Sequence, residues 1–503
     1  MVGVFYVTTP IYYPNAEPHI GHAYTTIMAD VTARWRRLCG DDVFFLTGTD
    51  EHGLKLQKTA EERGIDPKSF VDQMSEVFKR YWSILGISYD RFIRTTDEDH
   101  VQAVRKALMK MYSKGLIYKG VYRGWYCTSC EAFYGPGEYI EEGGRKLCPS
   151  HRKPLELMEE ETYFFKLSQF EDYVREQLSK DIVHPRGYAR EVLSKIEREG
   201  LRDLSITRPK TRVYWGIEAP WDPNHTVYVW IDALLNYVSA LGYPDNTSRL
   251  EKYWSVAHHF IGKDILWFHT AVWFAVLAAI DLPPPRKVIV HAFITLQGLK
   301  ISKSVGNVVT IDALLQRYGN PDVVRYLLMR FSSLDKDVEF SAEQLDAAYN
   351  TELADTFGNL VRRVGVLAKK KLDGVVTRDR VDPELETSVR RAVDRAASAL
   401  NSFRFSEALI AIFDVFREAN AYLNRTEPWR SDSPNESLYN ALECIRIGTS
   451  LLSPFMPRVA ENLARSLGFE IGPFEALRMG AGEEYRVSEA PILFKKIRGG
   501  SAS

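Results

Sequence analysis

Apolar runs of strand length alternate with amphipathic stretches of helical length over the start of the chain. Val4 to Thr9 reads as a buried strand, ended by a turn-rich segment with Pro10, Pro14, Asn15 and Pro18. From His22 the apolar positions Ile27, Val31, Trp35 and Leu38 recur at helical spacing, and Gly40 stands where a C-terminal glycine belongs. Val43 to Leu46 follows as a second buried strand. Strand, helix, strand in this order is the parallel unit of a doubly wound sheet, whose ligands sit beyond the carboxyl ends of the strands. The segment GTDEHG, Gly48 to Gly53, lies at such an end.

Between about residues 117 and 225 the texture changes to tyrosine, glycine and cysteine clusters with short turns, as an insertion into the sheet domain would show. The sheet pattern then resumes. Val227 to Ile231, His259 to Ile261 and Val288 to Ile294 read as strands, with an apolar helix from about Trp267 to Ile280 closed by Pro283 to Pro285. From about Ala342 the pattern becomes long amphipathic helices, with no strand-like run until the tail near Ile492.

At 503 residues the chain is too long for one ordinary core, and 45% hydrophobic with 26% charged residues is the composition of a folded globular protein. The N-terminal segment has no basic leader followed by a long apolar block, and the apolar stretch at Ala271 to Ile280 is too short to span a bilayer. A cytoplasmic location without membrane attachment is the expectation, and five sparse cysteines suit a reducing compartment. With 65 Lys+Arg against 66 Asp+Glu, any RNA contact must come from local patches. Arg362, Arg363, Lys369, Lys370 and Lys371 form one candidate, which a solvated helix face would also explain.

Three groupings carry candidate chemistry. His19-Ile20-Gly21-His22 sits between the first strand and first helix, where helix N–H groups and dipole favour a phosphate; the histidines could bond to ATP or merely cap the helix. Lys300-Ile301-Ser302-Lys303-Ser304, after the strand ending near Leu296, offers two lysines to the β- and γ-phosphates, although alone it could be an exposed basic loop. Together they supply fixed donors on one side and mobile cations on the other, as in-line attack on an α-phosphate requires. Cys127-x-x-Cys130 is followed after 17 residues by Cys148-x-x-His151, three thiolates and one imidazole in two knuckles. All four positions of a tetrahedral site are filled, which predicts one structural Zn2+ without an open position for water.

The two nucleotide segments resemble the two signatures of class I aminoacyl-tRNA synthetases, with Ile301 where methionine is commonest. Phe5 to His22, Thr47 to Gly53, Val229-Trp230-Ile231-Asp232-Ala233 and Gly262-Lys263-Asp264 are similar, in order, to blocks of the methionyl-tRNA synthetases, in the bacterial type with a single zinc site. The likeness spans nearly the whole chain. It implies ATP-dependent, Mg2+-assisted activation of L-methionine to methionyl adenylate and transfer to the 3′ terminal adenosine of tRNA(Met).

The resemblance assigns His19, His22, Lys300 and Lys303 to catalysis, and Gly21, Asp264 and Ser302 with them to ATP binding. It builds the methionine pocket from Ile11, Tyr13, Asp50, Trp230, Ala233, Tyr237, Phe268 and His269, Asp50 taking the ammonium. Aromatic walls suit a thioether. Leu234 to Asn236 depart from the commonest pattern, so the floor is less defined than the walls. Asn359, Arg363, Pro428 and Trp429 resemble the family's reader of the CAU anticodon, and stacking with edge hydrogen bonds is how single-stranded bases are read.

The resulting expectation is an α/β fold: a Rossmann-like doubly wound parallel sheet with an inserted zinc-knuckle connective domain and a C-terminal α-helical bundle. Its parts are the first half of the catalytic domain (1–116), the insertion (117–225), the second half (226–290), the KISKS loop and stem-contact linker (291–345) and the anticodon-binding domain (346–503). A monomer is expected. Two alternatives stand beside it: an RNA-binding protein that kept the fold but lost the chemistry, which the intact histidines and lysines oppose, and a class I synthetase for another amino acid. The short insertion leaves no room for a large editing domain, against the leucine, isoleucine and valine enzymes.

Overall fold

The computed structural model describes residues 2–128, 132–135, 137–150, 152–296, 299–300 and 310–497. Its centre is a six-stranded sheet, all parallel: β1 (Val4–Thr8), β2 (Asp42–Thr49), β3 (Arg91–Arg94), β4 (Val183–His184), β5 (Ala257–Gly262) and β6 (Lys287–His291), in the order β3-β2-β1-β5-β6-β4. Helix α1 (Ile20–Leu38) crosses from β1 to β2. Nearly continuous apolar strands such as VFYVT are what a sheet covered on both faces needs, and Tyr6, Val7, Phe45, Leu46, Ile261 and Val290 are buried. Strand order reverses between β1 and β5, so a crevice opens at their carboxyl ends. At Gly48 the neighbouring strand comes so close that a Cβ would lie 1.9 Å from the Ile93 carbonyl oxygen.

Three expectations change. The segment from Val227 to Ile231 is not one strand: the strand Asp222–Val227 ends, and Val229–Leu234 turns into a short helix, α2. Val229, Ile231, Ala233 and Leu234 are all buried, and in a segment enclosed on every side apolar spacing cannot tell strand from helix. The stretch 117–225 is not one inserted unit either. Ile117–Cys127 and Glu156–Phe165 pair over a long antiparallel ladder in a separate four-stranded sheet, but β4 returns to the edge of the main sheet, Val183 opposite Val288. Two residues are too few to show a period of two. Finally, the last strand among the described residues is Glu484–Arg486, paired with Val375–Thr377, whereas Ile492 is exposed and outside any strand.

The C-terminal part is helical, with Asn359–Leu372, Pro383–Asn401, Phe405–Thr426, Asn435–Leu452 and Pro457–Leu467 packed around Phe413, Phe416, Leu442, Ile445 and Leu451. Asp382 caps the second of these helices through the Leu385 N–H, with Pro383 at the first helical position. No helix among the described residues is long and apolar enough to cross a membrane.

Candidate active site

The turn from β1 into α1 is shaped by its own histidines. The Nδ1 of His19 accepts the Gly21 N–H at 3.0 Å, and the Nδ1 of His22 accepts the His19 N–H at 3.2 Å, a reciprocal cap on the helix N-terminus. The rings stack with centroids 3.8 Å apart. Because each Nδ1 accepts, each ring in its neutral form carries its proton on Nε2. Capping and phosphate binding are therefore compatible uses of the same two rings. A Cβ at Gly21 would lie 2.9 Å from the His19 ring, so a side chain here would push that ring out of its capping position.

Beyond the carboxyl ends of β1, β2 and β5 lies a cavity of about 420 Å³. His19, Gly21, His22 and Asp264 line one part of it, Asp264 from the short turn that follows β5. Ile11, Tyr13, Asp50, Trp230, Ala233, Tyr237 and His269 line the rest. Phe268 is the one predicted pocket residue outside the lining: it backs the wall, its ring stacked on Trp230 at 4.1 Å and nearly parallel. Phe293 and Ile294 also face the cavity, and Ile294 opens the strand Ile294–Leu296, which pairs antiparallel with Leu299–Lys300. The lysine-bearing hairpin thus springs from the cavity wall. Ser302 and Lys303 lie outside the described residues, as does the side chain of Lys300.

Tyr237 and His269 stand in the cavity wall as neutral groups. Burial pushes the His269 imidazole down to about 4. Its Nδ1 lies 3.0 Å from the Ile265 carbonyl, so Nδ1 carries the proton and Nε2 accepts the Tyr237 hydroxyl at 2.7 Å. Burial likewise raises the Tyr237 phenol far above its ordinary value. Beneath it, His259 stacks on Tyr237 at 4.1 Å and is held well below its usual range by burial.

Several lining residues escaped sequence reading. Thr25 lies one turn after Gly21 on the same face of α1 and shares a 2.7 Å hydrogen bond with His291, at the carboxyl end of β6. The rule that ligands gather at strand ends could have found His291. Asn236 did not escape sequence reading: it belongs to the floor segment Leu234 to Asn236 that the sequence left undefined, lines the cavity one turn beyond Ala233, and donates from its side chain to the Ala233 carbonyl at 2.6 Å.

Residues 5–365 match the family model described as tRNA synthetases class I (M), and residues 382–490 match that of the anticodon-binding domain of tRNA ligase. The methionine–tRNA ligase of Thermotoga maritima is 43% identical over 98% of this chain and 80% of its own length; that of Streptomyces coelicolor is 39% identical over 93% and 90%. A solved structure of Mycobacterium tuberculosis methionyl-tRNA synthetase in complex with methionyl-adenylate superimposes with a TM-score of 0.93, at 36% identity, over 98% of this chain and 100% of that one. The chain belongs to the class I methionyl-tRNA synthetase family.

In this synthetase a second cavity, of about 560 Å³, opens on the helical part. Asn359, Arg363 and Trp429 line it, together with Asp355 and Asn420, whereas Pro428 does not. The Arg363 guanidinium lies 5.3 Å from the centre of the Trp429 ring and donates to the Asn424 side chain at 3.1 Å. Trp429 is 38% exposed, unusual for an indole whose only task is packing. The neighbouring basic residues have a structural use: Arg362, Lys369 and Lys371 donate to the carbonyls of Ala490, Ser488 and Ser431, tying down the C-terminal segment and the loop after Trp429.

Of the predicted zinc ligands, Cys127 and Cys148 are buried side by side with Leu155 in one small cluster, ringed by Trp125, Tyr134 and Tyr139. Cys130 and His151 lie outside the described residues, and among the described residues no group of three metal-ligating side chains occurs.

Proposed function

We propose that the chain is a methionine–tRNA ligase that activates L-methionine with ATP and joins it to the 3′ terminal adenosine of tRNA(Met). One observation carries this reading: the nucleotide set and the amino-acid set, each drawn from residues more than two hundred positions apart in the chain, line one cavity whose wall also roots the lysine hairpin. Methionine would lie with its side chain among Tyr13, Trp230, Ala233, Tyr237 and His269 and its ammonium at Asp50. A methionine carboxylate oxygen attacks the α-phosphorus of ATP, the bond to the bridging β-oxygen breaks, and pyrophosphate leaves. The Nε2–H groups of His19 and His22 stabilise the charge that develops, and Lys300 and Lys303, with Ser302, take up the β- and γ-phosphates. Asp264 and Gly21 hold the adenosine part. A ribose hydroxyl of the tRNA then attacks the adenylate carbonyl and releases AMP. Magnesium arrives with ATP and offsets its negative charge.

Asn359, Arg363, Pro428 and Trp429 form the anticodon reader in this proposal, Trp429 offering a stacking face. Cys127, Cys130, Cys148 and His151 hold one structural zinc. The described half of the set fits: a cluster with one fully apolar buried member, Leu155, is too small to hold a fold unaided. The enzyme works as a cytoplasmic monomer. Methionine-dependent exchange of pyrophosphate into ATP is the deciding assay. Exchange with a different amino acid, and none with methionine, would leave the fold and remove the function. Metal analysis of the Cys127→Ser variant should show loss of about one zinc per chain.

A further inference from the structure

We propose that Asp232 is a positioning residue for amino-acid recognition, joining the two walls of the methionine pocket through a buried histidine–aspartate–histidine chain. The inference rests on the pocket assigned above. Asp232 lies in α2 between two pocket residues, Trp230 and Ala233, and its side chain is fully buried. One carboxylate oxygen meets His52 Nδ1 at 2.6 Å; the other meets His100 Nε2 at 2.8 Å. His52 stands two residues after Asp50 in the segment following β2. His100 belongs to the helix Glu98–Ser113, and its Nδ1 shares a 2.8 Å hydrogen bond with Ser239, on the turn after Tyr237.

The arrangement fixes three consecutive residues in three directions. Asp50 faces the cavity. Glu51 is locked on the opposite side by a bidentate Arg94 pair at 2.7 and 2.9 Å and by Thr49 and Thr96, while its N–H donates to Thr95. His52 is held by Asp232, and its carbonyl accepts the Tyr13 hydroxyl at 2.9 Å. Without Asp232 the link from this segment to α2 through His52 is gone. Six residues are too few for a helix to hold itself, and α2 has no side-chain cap. The buried carboxylate therefore sets the position of Trp230 and Ala233 relative to Asp50. A buried carboxylate costs stability unless it is well partnered, and apolar packing would fasten the helix as well; what the hydrogen-bonded carboxylate adds is a fixed geometry.

The test is steady-state pyrophosphate exchange in the full-length enzyme, with methionine and ATP varied separately. Asp232→Asn should raise the methionine KM about tenfold or more while leaving the ATP KM near that of the parent, because misplacement of about 1 Å is enough to cost that much. His100→Gln keeps the Asp232–His52 bond and should give a smaller shift of the same kind. A purely structural role would lower the melting temperature and the active fraction but leave the methionine KM unchanged. That outcome in Asp232→Asn overturns the proposal, as it does in His100→Gln should Asp232→Asn not fold. Asp50→Asn is the companion: if it too leaves the methionine KM unchanged, the pocket assignment itself has failed.

Discussion

Asp30 and Arg325 form a fully buried ion pair at 2.7 Å that ties the sheet domain to the helical part. Asp30 lies on α1 and also accepts from Arg34 and from the Ser88 N–H and hydroxyl. Arg325, on the helix Pro321–Arg330, donates to the carbonyls of Leu85, Pro454 and Phe455 as well. Asp30→Ala should destabilise the fold by about 3–5 kcal/mol, since it strands a buried guanidinium. Burial alone would raise the Asp30 carboxyl, but Arg325, Arg34 and Ser88 outweigh it and hold it down to about 2. Its contribution is complete above the ordinary carboxyl range and is lost as pH falls through about 2. Urea titrations of the parent and Asp30→Asn should therefore converge as pH is lowered from about 4 towards 2.

His269 gives a second, higher window. Its ring is held at about 4 by burial, whereas an unfolded histidine titrates near 6.5. The stability it contributes is present above about pH 6.5 and is lost as pH falls through 4, roughly 3 kcal/mol in all. His269→Gln should show a shallower fall in urea midpoint across that range. Methionine affinity should stay flat from about pH 6.5 to 8, because the ring is neutral throughout.

The two tasks of the histidine pair can be separated. Asn at position 22 places an acceptor near the Nδ1 position and keeps the cap, whereas Gln places a donor near Nε2 and keeps the phosphate contact. Exchange rate should fall about 10²–10³-fold in His22→Asn and less in His22→Gln. The melting temperature should fall more in His22→Gln, in proportion to a cap of about 1 kcal/mol. Lys303→Ala should lower exchange on the same scale with methionine binding nearly unchanged.

Trp429→Ala should leave pyrophosphate exchange intact and raise the KM for tRNA in aminoacylation, by the equivalent of about 1–3 kcal/mol for one lost stacking face. An equal fall in both activities would make Trp429 a packing residue. Because Arg363 stacks on the same ring, the double variant with Arg363→Ala should cost less than the sum of the two.

Strand, helix and strand from Val4 to Leu46, the separate helical part and the histidine-bearing turn were legible in the sequence because each rests on local order: periodicity, turn residues, or a cap completed within four positions. His19 and His22 shape their own turn, so four letters suffice to locate them. The tertiary structure alone decided the rest. The buried run at Val229 to Leu234 has no polar face to betray its period, and its helix is fixed by Asp232 meeting His52 and His100 from distant segments. The two residues of β4 acquire their place only by pairing with β6. That Phe268 stacks on Trp230 and lies outside the cavity lining follows from how two helices pack, and packing distances are set by atoms in space, not by neighbours along the chain.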